Sequence, residues 1–206
     1  MTASSPLRLL RCFAMDVSTE QLFDQARSHN GFTNEPVPES TLRRLWDLTK
    51  WGPTSANSSP ARIVFVVSPG AKEQLLACMS PGNVEKTRQA PVSAVIGMDM
   101  AFYEHLPKLF PHRPEMKNPY EANAKLAETV AFRNGTLQGA YFMLAARAVG
   151  LDVGGMSGFD NAKVDAEFFP DGRVKSNFLC NLGHGDSSKV LAKLPRLDFD
   201  EACTLI

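Results

Sequence analysis

Two hydrophobic periodicities alternate along this chain of 206 residues, and their order predicts its elements. Ser18 followed by Gln21 is a capping-box pattern that opens "STEQLFDQARS", read as an amphipathic helix ending at Ser28-His29-Asn30-Gly31. From about Glu39, the residues Leu42, Leu45, Trp46 and Thr49 recur at spacings of three and four, which predicts a second helix stopped by Gly52-Pro53. "RIVFVV" and "APVSAVIGM" are almost unbroken apolar runs rich in branched residues and read as buried strands. Between them Ser68-Pro69 is an N-cap with proline at the first helical position, so "PGAKEQLLACM" reads as a third helix.

The stretch from Ala101 to Asn123, rich in aromatics and proline, has no period and reads as an excursion that covers something, a lid or an interface. The longest helix runs from Ala124 to Val149, with Val130, Leu137, Tyr141, Leu144 and Ala148 on one apolar face. Gly135 and Gly139 lie inside it; they cost helix stability and predict a close helix–helix contact. "LDVGG" is a short strand, Asp160 opens the helix "NAKVDAEFF", and "RVKSNFLCNLGHG" is a long strand. Two helices precede the first strand and the spacing is uneven, so a regular doubly wound fold is not required.

A hydrophobic content of 44% with 21% charged residues fits one globular domain over residues 1–206. Lys plus Arg and Asp plus Glu both number 22, so no net field favours nucleic acid or a membrane surface. No segment approaches the ~20 apolar residues of a membrane helix. "MTASSPLRLLRCF" is broken by Arg8 and Arg11 and lacks the long apolar core of a leader, so the expected location is the cytoplasm. Cys12, Cys78, Cys180 and Cys203 are dispersed without a C-x-x-C pair, which fits a reduced compartment and predicts no metal site.

There is no P-loop, G-x-S-x-G or H-E-x-x-H motif, and "GGMSG" lacks the Rossmann spacing. His29, His105, His112 and His184 are scattered and read as polar surface or loop residues before catalysts. What remains is distributed over five patches that carry amides or cations: Arg27-Ser28-His29, the small-residue loop "GPTSAN", "GNVEKTR", "GGMSG", and Lys193 with Arg196. Such patches could close around one large, flat, anionic ligand, since a phosphate wants cations and a heterocycle wants amides.

In "WGPTSANSSPARIVFV", "RNGTLQGAY", "GLDVGGMSGFDNAKVDAEFF" and "KSNFLCNLGHGD" the chain resembles the FMN-dependent nitroreductase family, over nearly its whole length. Within that family it is similar to the malonic semialdehyde reductase (3-hydroxypropionate dehydrogenase) branch of pyrimidine degradation. The resemblance implies an α+β fold with a central, mainly antiparallel sheet flanked by helices, in an intertwined homodimer with FMN at each interface. It implies that Pro53, Thr54, Ser55 and Asn57 reach over the flavin of the other subunit. Arg27, Ser28 and His29 are implied to form one side of the phosphate and ribityl site, with Lys193 and Arg196 closing the other. Asn83 and Lys86 match contacts to the pyrimidine edge, where Lys86 would stabilise the negative charge left when hydride reaches flavin N5. Met156, Ser157 and Gly158 would lie near N5.

Three departures from the family pattern stand out. Asn30 and Gly31 occupy positions where many members carry a further basic residue, Ser59-Pro60-Ala61 replaces a common Gln-Pro-Trp, and Ser157 replaces an acidic residue. The last two suit the semialdehyde-reductase branch. The implied activity is hydride transfer from NADH or NADPH to a small electron acceptor, malonic semialdehyde in that branch. The alternatives are a broad-range nitroaromatic, quinone or enone reductase and a non-catalytic flavin-binding protein.

Overall fold

The computed structural model describes residues 17–206; Cys12 and the segment read for a leader lie outside them. Strands β1 (Ala61–Val66), β2 (Val92–Asp99), β3 (Asp152–Met156) and β4 (Val174–Gly183) form one antiparallel sheet in the order β1-β2-β4-β3. The helices are α1 (Glu39–Thr49), α2 (Pro69–Leu76), α3 (Pro81–Gln89), α4 (Leu106–Leu109), α5 (Asn118–Ala122), α6 (Ala124–Ala148), α7 (Asn161–Phe168) and α8 (Phe199–Ala202). This is the expected α+β arrangement of an antiparallel sheet flanked by helices.

The unbroken apolar run of β2 is explained by burial on both faces. Val92, Ala94 and Ile96 pack with Leu42 and Leu45 of α1 and Phe142 and Ala145 of α6. Val95 points the other way, onto Leu75 of α2, Val164 of α7 and Leu179 of β4. The excursion after β2 is a chain of short helical turns. Its Phe102, Leu106 and Tyr120 form a separate small core with Ala127 and Ala131 of α6.

The end of the sheet where β2 stops and β4 starts is clamped by a buried carboxylate. Asp99 receives Arg62 Nη2 at 2.7 Å and both Nε and Nη2 of Arg173 at 2.8 and 3.1 Å. Arg173 also donates to Glu104 at 2.6 Å, so β1, β2, β4 and the excursion meet on one charge cluster. The hydrogen bonds to Asp99 and Glu104 hold the Arg173 guanidinium well above its ordinary pKa.

The first expected helix is cut short. Ser18 Oγ does accept from Gln21 N at 3.2 Å, but the helical turn is of π type and spans only Glu20–Asp24. Beyond it Ser28 bridges Val153 in parallel and His29 N donates to Val153 O at 2.9 Å. Pairing with the edge strand overrides local helix preference there. Conversely, α3 was not anticipated as a helix, although Ser80-Pro81 repeats the start signal of Ser68-Pro69.

Helix α6 has nearly the expected bounds and a different inward face. Ala127, Ala131, Asn134, Gly135, Gln138, Gly139, Phe142, Ala145 and Ala146 are buried, whereas Leu137 of the expected apolar face is 45% exposed. The glycines serve a helix-on-sheet contact in place of the expected helix–helix one. A Cβ on Gly139 would lie 2.4 Å from Phe178 Cζ, and one on Gly135 would lie 3.1 Å from Met98 Cβ. Gly139→Leu should therefore wedge α6 away from β4 and lower unfolding free energy by roughly 1–3 kcal/mol or more. Urea denaturation checks this; an unchanged midpoint would place the glycine elsewhere.

Candidate functional site

One corner of the molecule gathers cations around a cavity of about 550 Å³, whose lining includes Arg27, Ser28, Asn30, Arg147, Lys193 and Arg196. Their hydrogen bonds go to backbone carbonyls. Arg27 Nη2 donates to Leu191 O, Arg147 Nη1 to Leu22 O at 2.8 Å, Lys193 Nζ to Asp24 O at 2.6 Å, and Arg196 Nη1 to Pro195 O at 2.9 Å. Among the described residues none of the four has a carboxylate partner, although Asp24 also lines the cavity. Positive charge held by neutral acceptors and left without counter-ions is a setting for an anion. Arg147 was missed from the sequence, where it reads as a basic residue complementing the C-terminal end of α6. Burial holds its pKa below the ordinary value.

His29 is placed differently from its neighbours. Its ring is buried, with Nε2 3.2 Å from Asp152 Oδ1, and a Cβ on Gly185 would fall 1.9 Å from its Nδ1. Asp152 Oδ2 also receives Gly185 N at 2.8 Å. The imidazole thus ties the 27–30 segment to β3 and the turn after β4, while Ser28 and Arg27 face the cavity. Close packing continues at Gly154, where a Cβ would lie 2.4 Å from His29 O.

Helix α3 and the exit of β3 are locked together beside this corner. Asn83 Nδ2 donates to Gly158 O at 2.8 Å, Ser80 N donates to the same oxygen at 3.0 Å, and Thr87 Oγ1 approaches Met156 Sδ at 3.5 Å. Asn83, Met156, Ser157 and Gly158 are therefore brought into one neighbourhood. Lys86 is half-buried on the same helix, and its ammonium has no hydrogen bond or ion pair among the described residues. Lys189, also missed from the sequence, joins the two patches: its stem packs on Gly31 and its Nζ donates to Gln89 Oε1 at 2.9 Å.

The Pro53–Asn57 loop stands apart from all of these. Ser55 N donates to Asn134 Oδ1 at 2.8 Å, Tyr141 Oη to Pro53 O at 3.1 Å, and Asn57 Nδ2 to Leu109 O at 2.8 Å. Thr54 Oγ1 accepts from Ser59 N at 3.1 Å. Ala56, Asn57 and Ser59 all have left-handed φ, at 50°, 50° and 41°, a costly run for non-glycine residues that this web of contacts maintains. The loop feeds the start of β1, opposite Met98 near the end of β2, whereas Ser28 lies on β3, whose first residue pairs with Gly183 at the far end of β4. Four strand spacings of about 4.8 Å, the last of them the Ser28–Val153 bridge, and much of a strand's length separate the two groups.

The described residues contain no group of three or more His, Cys, Asp or Glu suited to a metal ion, and no helix long and apolar enough to cross a membrane. A family model described as the nitroreductase family matches residues 24–184. A protein of Polynucleobacter asymbioticus named "Putative NADH dehydrogenase/NAD(P)H nitroreductase" is 57% identical over 189 residues, covering 92% of this chain and 96% of its own. HadB of Ralstonia pickettii, with the same descriptive name, is 55% identical over 191 residues, covering 92% and 97%. Among solved structures, a nitroreductase of Exiguobacterium sibiricum in complex with FMN superposes with a TM-score of 0.83 at 17% identity, covering 92% of this chain and 98% of its own.

Behind α3 lies a buried charge that supports it. Lys72 Nζ donates to Ala90 O, at the C-cap of α3, at 2.9 Å and to Ser93 Oγ at 2.8 Å. Ser93 Oγ donates to Asn181 Oδ1 at 2.7 Å, and Asn181 Nδ2 donates to Lys86 O at 3.2 Å. Burial lowers the Lys72 pKa from 10.5 to about 8. Below about pH 8 both folded and unfolded chains hold this proton; between there and 10.5 the unfolded chain holds it more tightly, so stability rises with pH through that window. The slope is at most about 1.4 kcal/mol per pH unit. Lys72→Met should lack this rise, so the stability of wild type relative to the variant should grow from pH 8 to 10 in urea titrations. A flat difference would contradict the assignment.

Proposed function

The chain belongs to the nitroreductase family, and we propose that it is an FMN-dependent NAD(P)H oxidoreductase that reduces malonic semialdehyde to 3-hydroxypropionate. The observation that carries the cofactor reading is the pairing of an anion-ready cation corner with an amide-and-lysine edge next to it. The donor set fits FMN. Arg27, Ser28, Lys193 and Arg196, with Arg147 added by the structure, would hold the phosphate and ribityl chain. Asn83 and Lys86 would hold the pyrimidine edge, and Met156, Ser157 and Gly158 would border the reacting end.

FMN held there would supply two-electron hydride chemistry between a nicotinamide and an acceptor. An aldehyde acceptor then needs one proton from water to leave as the alcohol. Lys86 would contribute a positive charge, unspent on any described carboxylate, beside the edge where negative charge would collect. The Lys72, Ser93 and Asn181 network orients the helix that carries it.

A homodimer belongs to the same reading. Pro53, Thr54, Ser55 and Asn57 would serve the flavin bound by the second chain, which is supported by their distance from the cation corner of their own chain. Leu137 and Phe132 on α6, and Leu191, Leu194, Leu197 and Phe199 in the tail, are exposed apolar surface available to a second copy. The malonic semialdehyde acceptor is supported by the long motif matches and by Ser59-Pro60-Ala61 and Ser157, where broad nitroreductases differ.

Purified protein should be yellow, with about one FMN per chain. Arg27→Ala and Arg196→Ala should each weaken FMN by roughly 1–3 kcal/mol, the scale of a lost charged hydrogen bond. Wild-type affinity in both variants would remove these residues from the phosphate site. With NADH or NADPH, an acceptor panel should show turnover of malonic semialdehyde above nitroaromatics and quinones. The reverse order would make the enzyme a broad-range reductase, and no oxidation of either nicotinamide with any acceptor would make it a flavin-binding protein.

A further inference from the structure

Beside the Pro53–Asn57 loop is a second cavity, of about 580 Å³, at the opposite edge of the sheet from the cation corner. Its ionisable lining residues are Lys50, Arg62, Lys108 and His105, with no Asp or Glu among them. Two of the cations are already compensated. Lys50 pairs with Asp47 at 2.5 Å and Arg62 with Asp99 at 2.7 Å. Lys108 has no carboxylate or hydrogen-bond partner among the described residues.

Gln138 supplies a second free donor from below. Only 1% of the residue is exposed, and its Oε1 accepts Ala61 N at 2.8 Å, which fixes which way the amide faces. With the oxygen committed, the NH₂ group is what Gln138 has left to present to the cavity, and it has no acceptor among the described residues. The NH₂ group reaches solvent through the cavity, so a ligand oxygen can take the place of water on it. One ammonium and one amide NH₂ match the single charge and two oxygens of a carboxylate. A phosphate crowds three or four charged oxygens on one centre, and these two donors would leave most of them unsatisfied. Trp46 and Trp51 form an aromatic wall of the same cavity.

We infer that this cavity binds the carboxylate of a small acceptor through Lys108 and Gln138, so that the enzyme's acceptors are carboxylate-bearing compounds presented at the loop. The inference rests on the oxidoreductase reading, in which the loop faces the flavin of the second chain. It adds a ground for discrimination: a carboxylate gains a charge-assisted hydrogen bond from Lys108 that an uncharged acceptor cannot make.

Trp46 and Trp51 are the only 2 tryptophans of the chain, so intrinsic fluorescence of the holoenzyme reports on this cavity directly. Titration with malonate, an unreactive dicarboxylate, should give a saturable change, while dimethyl malonate and inorganic phosphate at equal concentration and ionic strength should not. Lys108→Met, a substitution at an exposed position that leaves the core untouched, should weaken malonate about tenfold or more. An equal response to the diester or to phosphate, no saturation with malonate, or wild-type malonate affinity in Lys108→Met would each overturn the inference. FMN content and NADH turnover are measured on the same preparation. Loss of those with selective malonate binding intact would defeat the oxidoreductase reading alone.

Discussion

The strand order β1-β2-β4-β3 constrains everything this chain can present to a cofactor. It sends the small-residue loop to one edge of the sheet and the cation corner to the other, at opposite ends of the strands. A ligand the size of a flavin mononucleotide cannot be gripped by both groups of one chain. Either the loop serves something else, or a second chain brings its loop to the first chain's corner. The exposed leucines of the tail and of α6 favour the second arrangement, because that much apolar surface is costly to leave in water.

Both corners are stiffened by buried charge, in different ways. Near the loop, Asp99 neutralises Arg62 and part of Arg173, and removing one partner from such a cluster would leave the others uncompensated. Near the cation corner, Lys72 is buried with only neutral acceptors, a less stable solution that its lowered pKa reflects. That cost is understandable if α3 has to be held in place, since the helix end capped by Lys72 and the carbonyl of Lys86 belong to one hydrogen-bonded network. Both candidate surfaces are thus backed by polar groups that a purely apolar core would not need.

Local signals made most of the fold legible in the sequence. The Ser68-Pro69 start of α2, the Asp160 cap of α7 and the doubly buried run of β2 act within a few residues, and all three elements appear as read. Long-range terms defeated the reading elsewhere. The 18–28 helix loses its second half to pairing with β3, and the inward face of α6 is chosen by Asn134 and Gln138, which bond the loop and β1, over the more apolar face that periodicity favours. Resemblance pointed to Arg27, Ser28, Lys193 and Arg196 as candidates for a phosphate site, and the four line one cavity. Arg147 and Lys189 gave no motif signal because their placement depends on where α6 and the tail meet the 22–31 segment.

Mixing two defective chains tests the central claim, that each site is completed by the loop of the other chain, most directly. Asn57→Asp keeps a residue that tolerates the left-handed backbone at φ 50° while replacing the amide, and Arg27→Ala weakens the corner. At an FMN concentration that fills wild-type sites and leaves Arg27→Ala sites largely empty, each homodimer should be nearly inactive. If the loop acts across the interface, every heterodimer has one site with both lesions and one with neither, and about half of normal activity per heterodimer returns on mixing. Heterodimers that form without recovering activity would contradict the account, since each site would then keep one lesion of its own chain.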